Sequence, residues 1–156
     1  MKKIEVILII GAVIGLLLAI FHVPLSPLIV SLFFVSLGLL YFYLGFALFN
    51  GIHLRRIFDP ESYKGIGSWR LVIAAGTGLA LSMLTIEFMF TVLNYPMPKT
   101  LLQAGLVSTT VVLVLAIVKN AKEKNMFYRN IILRCLIFIV IAVIFLVIPG
   151  HIFEKA

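Results

Sequence analysis

Residues 71–118 read LVIAAGTGLALSMLTIEFMFTVLNYPMPKTLLQAGLVSTTVVLVLAIV. Two apolar runs, 71–94 and 98–118, flank the segment Leu93-Asn94-Tyr95-Pro96-Met97-Pro98-Lys99. Each run is close to the ~20 residues that carry a helix across a hydrocarbon core. Pro96 removes a backbone donor and restricts the residue before it, which ends the first helix. Pro98 is tolerated in the first turn of the next, where its missing N–H would lack a partner anyway. The segment therefore predicts a helical hairpin with a tight turn.

Working outward, the same pattern recurs at 4–21 and 27–50, joined by Phe21-His22-Val23-Pro24-Leu25-Ser26-Pro27, and a fifth apolar run covers 131–148. Composition agrees: 63% of the 156 residues are hydrophobic, 12% are charged, and mean hydropathy is +1.21. That leaves too little charge to surface a water-soluble domain. The expectation is one all-α transmembrane domain over 1–156, with a first hairpin at 4–50, a linker at 51–70, a second hairpin at 71–118 and a final span at 131–148. A signal peptide is the competing reading of 1–21, but the run exceeds the ~7–15 residues of a signal core, lacks an A-x-A-like site and leads directly into another span.

A net charge of +7 would suggest nucleic acid in a soluble protein, but here the cations report topology. Ten basic residues fall on one side: Lys2, Lys3, Arg55, Arg56, Lys64, Arg70, Lys119, Lys122, Lys124 and Arg129. Lys99 and Lys155 fall on the other. The excess of cations on cytoplasmic segments places the N-terminus inside and the C-terminus outside.

Laying Pro24 on Pro96 aligns His22 with Asn94 and Leu25 with Met97. Both hairpins would start and finish on the same side, so an internal duplication would be a parallel repeat about an axis along the membrane normal. Convergence of two hairpins on one kind of turn is the alternative. The stretch Gly11-Ala12-Val13-Ile14-Gly15-Leu16-Leu17-Leu18-Ala19-Ile20-Phe21-His22-Val23-Pro24 resembles the N-terminal hairpin of the L-type motor subunit of Bacteroidota gliding motility and type IX secretion, where a Gly-containing span ends in a His-Trp-Pro turn. The resemblance implies a bacterial inner-membrane hairpin. It does not extend to the motor's acid, which follows the turn: neither 28–50 nor 100–118 contains an acidic residue, and Glu87 precedes its turn.

The linker 51–70 is the longest polar segment, and its Arg55 and Arg56 suit anionic headgroups. Ile57, Phe58 and Tyr63 suit the interface, Trp69 an aromatic belt, and Ser68 the cap of the third span. The shorter basic segment 119–130 reads as a second loop. Neither carries a phosphate cradle, a nucleotide motif or a paired-cysteine site. Cys135, the only cysteine, lies in the fifth span as a small core hydrophobe.

Inside the spans, Glu87 is the exceptional residue, about seven positions or roughly 10 Å from the outer end of its helix at 1.5 Å per residue. A buried carboxylate is costly, so Glu87 is expected to be neutral and to hydrogen-bond a neighbour at similar depth: Ser31 or Ser36 on span two, Gln103 or Ser108 on span four. Proton or cation handling is the sharper alternative. Arg134, taken as the other intramembrane charge, lies near the inner end of span five, where snorkelling accounts for it. An Arg134–Glu87 pair is not expected, because roughly 12 Å of a ~30 Å core separates their depths.

Ala74, Gly78 and Ser82 recur at every fourth residue of span three, and Gly11-x-x-x-Gly15 gives span one a similar face. Both predict close helix packing, either within the bundle or, for span one, between copies. His22 and His151 lie outside and His53 inside, so no histidines bracket a metal or haem. There is no H-E-x-x-H, no G-x-S-x-G and no intramembrane aspartate pair. No cofactor is expected. These features favour a non-enzymatic membrane subunit whose partners are the lipid bilayer and other membrane proteins or itself, with no nucleic acid; a proton- or cation-conducting protein using Glu87 is the alternative. A reporter fused after Ala156 should lie outside the cytoplasm, and a cytoplasmic signal would invert the topology.

Overall fold

The computed structural model describes residues 1–95 and 99–147, with side chains for 1–95 and 102–147. These form α1 (Lys2–Ile20), α2 (Ser26–Asn50), α3 (Ser68–Val92), α4 (Lys99–Glu123) and α5 (Met126–Val147), with no strand among the described residues. All five helices are long and apolar enough to cross a membrane. The chain is an all-α, multi-pass membrane protein. Their sequences are helical for a solvent reason: in hydrocarbon every backbone N–H and C=O must be satisfied within its own segment, which outweighs the many β-branched residues.

α1 and α3 end in the same local structure. His22 and Asn94 both take the left-handed conformation, φ 53° in each. In the first cap His22 N–H donates to Ala19 O and Val23 N–H to Leu18 O; in the second Asn94 N–H donates to Thr91 O and Tyr95 N–H to Phe90 O. This is the Schellman arrangement, for which asparagine and histidine are among the more tolerant non-glycine residues. Pro24 sits exposed in the first connection, and Pro27 falls in the first turn of α2 as expected. Pro96, Pro98, His151 and Lys155 lie outside the described residues.

Two boundaries differ from the sequence reading. Residues 119–130 are not a loop: α4 runs on to Glu123 and α5 starts at Met126, leaving Lys124 and Asn125 as the turn. Lys119 and Glu123 pair at 3.6 Å across one helical turn, and Asn125 Oδ1 accepts from Phe127 N–H at 2.9 Å, so the polar residues extend and cap the helices. Ser68 is the first residue of α3 rather than its cap; Gly67 holds that position and no side chain caps it. In the linker, Asp59 accepts from Glu61 N–H and the Tyr63 hydroxyl donates to Ile57 O at 2.6 Å, while Phe58 stands 96% exposed.

α3 is the central helix, flanked by α2, α4 and α5. Its tightest approach is to α2: a Cβ on Gly78 would stand 2.5 Å from the Tyr41 carbonyl oxygen and 3.1 Å from Gly45 Cα. Ser82, on the same face, lies beside Gly38 of α2. Ala74 is fully buried with Phe127 and Ile131 of α5. Span one also packs inward, since a Cβ on Gly11 would strike the Phe33 ring and one on Gly15 would meet Val30, both in α2. Its glycine face is thus occupied within the bundle. α5 folds back onto α3 through Phe88, whose ring stacks on Phe138 and Phe145 with centroids 6.1 and 4.9 Å apart. Gly78→Ala is expected to cost about 1–3 kcal/mol by overpacking. Gly76→Ala, whose Cβ would sit an ordinary 3.5 Å from Val112, should leave stability unchanged or slightly raised. Unfolding of both variants in detergent micelles measures the contrast.

Candidate functional site

The spans bring three polar side chains together at the end of the bundle that carries the N-terminus of α1. Glu5 is the fourth residue of α1, Tyr41 lies in α2 and Arg134 in α5. Arg134 grips Glu5 with both terminal nitrogens: Nη1 donates to Oε1 and Nη2 to Oε2 at 3.0 Å. The Tyr41 hydroxyl donates to Glu5 Oε1 at 3.1 Å. Glu5 is 4% exposed and Tyr41 1%.

Aromatic rings enclose this triad. The Arg134 guanidinium lies 5.1 Å from the centroid of Phe49, and the Tyr41 ring stacks on Phe49 at 6.1 Å and meets Phe138 edge-on at 5.8 Å. A planar guanidinium suits this setting, since it can hold a carboxylate bidentately while resting on a ring face. Arg134 therefore does not simply snorkel to the headgroups. It neutralises a second acid, Glu5, that the sequence reading had not counted. The signal was present as an acid near the start of an apolar span, on the same side as the arginine.

Glu87 is placed quite differently. It is 4% exposed, and among the described residues its side chain has no hydrogen bond and no ion pair. Gly105 faces Leu84 and Gly76 faces Val112, a register that sets Glu87 level with Leu102 on α4. The expected partners do not engage it. Ser31, Ser36 and Ser108 are half-buried and Gln103 faces outward, none with a hydrogen bond to Glu87. Thr77, Thr85, Thr91 and Thr109 each donate to the carbonyl four residues back in their own helix, Thr91 to the backbone carbonyl of Glu87, so none lends the Glu87 carboxyl a hydrogen bond. His22 and Asn94 serve as helix caps at the far end, and Cys135 is fully buried.

Both Glu5 oxygens are occupied, so the triad ties three helices together. No protein-family model, curated protein or solved structure matches this chain. Glu5→Ala and Arg134→Ala should each cost about 2–3 kcal/mol, toward the low side for a buried pair because the Arg134 side chain keeps 28% exposure. Tyr41→Phe should cost about 1 kcal/mol. The Glu5→Ala/Arg134→Ala double variant should lose clearly less than the sum of the single losses; strict additivity would show that the pair is not coupled.

Proposed function

We propose that this chain is a non-enzymatic subunit or scaffold of the bacterial inner membrane, with its N-terminus in the cytoplasm, that assembles with other membrane proteins or with itself. The observation carrying this reading is Gln103. It is exposed on the outer face of α4, and its amide has no partner among the described residues. Val107, Val111 and Val114 continue that face at helical spacing, all exposed. An unpaired amide facing lipid is unfavourable, whereas across a helix–helix contact it gains a hydrogen bond, and a flat row of valines permits close approach. The short connections leave little room for a soluble catalytic module. The matching caps at His22 and Asn94 support, in addition, an origin of the two hairpins by duplication.

A second reading, proton or cation handling through Glu87, is favoured by its burial without a partner. Purification in mild detergent at native expression, with mass determination of the intact particle, separates the two. The subunit reading expects a fixed stoichiometry with itself or a companion, weakened about five- to tenfold by Gln103→Leu, the loss of an interhelical hydrogen bond. A monomer with no crosslinked neighbour would refute it. Proteoliposome ion flux abolished by Glu87→Gln would instead establish the second reading.

A further inference from the structure

α1 packs on α2, and α5 packs on α3 and α4, so the first and last helices meet chiefly at the Glu5–Arg134 pair. Beyond that pair they part. The gap is an apolar crevice of about 180 Å³, walled by Ala12, Val13 and Leu16 on one side and Ile137 and Ile141 on the other, with Phe88 at its floor. On the other side of the pair lies a small polar cleft of about 40 Å³ shared by Lys2, Asn130 and Arg134. Asn130, Arg134, Ile137 and Ile141 follow one another at helical spacing on a single face of α5, and so do Lys2, Val13 and Leu16 with Ile9 on α1. Cleft and crevice are separate hollows on one α1–α5 seam, and the track from one to the other runs over the Glu5–Arg134 pair, where the Arg134 side chain keeps 28% exposure.

We infer that this track binds one anionic phospholipid from the leaflet at the N-terminal end of α1, its phosphate in the Lys2–Asn130–Arg134 cleft and an acyl chain in the α1–α5 crevice. Size selects the occupant. The walls extend for roughly 11 Å at 1.5 Å per residue, and a helix, about 10 Å or more across, cannot enter so narrow a volume, whereas a flexible hydrocarbon chain can. Charge selects the headgroup. Lys2 and Asn130 are exposed donors, Lys3 and His53 line the adjoining pocket with Lys2, and the only acid at the track, Glu5, is 5% exposed at its side chain and turned onto Arg134 and Tyr41. The cleft thus offers a phosphate one unpaired cation, Lys2, and the Asn130 amide, with further cations in the adjoining pocket and no facing free carboxylate.

The test is native mass spectrometry of the full chain in detergent, titrated with phosphatidylglycerol or phosphatidylcholine of identical acyl chains. Phosphatidylglycerol should bind at least about fivefold more tightly, and Lys2→Ala should remove about fivefold of that affinity, the effect of one cation near an anionic headgroup, while leaving phosphatidylcholine unchanged. Ala12→Phe, which fills the crevice, should reduce binding of both lipids. Lys2 is exposed, so its variant carries the test even if Ala12→Phe lowers the yield of folded protein. Equal binding of the two lipids by the unaltered chain, or a preference that survives Lys2→Ala intact, would overturn the assignment.

Discussion

The bundle depends on the contact between the backbones of α2 and α3 where Gly78 meets Gly45 and the Tyr41 carbonyl. In lipid no hydrophobic drive pushes apolar helices together, because hydrocarbon tails are as apolar as leucine; association must come from dispersion at short range and from polar contacts. Two facing glycines supply the first. Their position one helical turn from Tyr41 also supplies the second, because with α2 held at this distance the tyrosine ring is locked between Phe49 and Phe138 and its hydroxyl is presented to Glu5.

From there the arrangement propagates outward. Glu5 brings the end of α1 to the bundle, Arg134 brings α5, and the phenylalanines of α5 settle over Phe88 of α3. Thr77, Thr85, Thr91, Thr109 and Thr110 take no part in this, since each returns its hydroxyl to its own helix. Joining α1 to α5 thus falls to one charged cluster near the end of the bundle, which leaves the rest of their length free to diverge and open the crevice.

The two intramembrane acids illustrate how context divides like residues. Glu5 has both oxygens engaged and an arginine to balance its charge, so it behaves as a fastener. Glu87 has the same burial and no such neighbour. A buried carboxyl left without a partner is unfavourable for stability, and such sites in membranes are where a proton, an ion or another chain is accommodated.

The number of spans, the first proline-marked turn and the inward-packing small-residue faces of α1 and α3 were legible in the sequence, because hydropathy, chain-breaking residues and small-residue spacing are local properties that a bilayer reads directly. The sequence likewise marked Glu87 as exceptional. Only the tertiary structure decided which helix each glycine faces, that 119–130 is mostly helix, and that Arg134 belongs with Glu5 and Tyr41. These three residues lie far apart along the chain, and every face of these helices is apolar, so periodicity does not reveal which one turns inward. Pairing across such distances is fixed by how five nearly uniform cylinders pack, and that is a property of the assembled bundle rather than of any one segment.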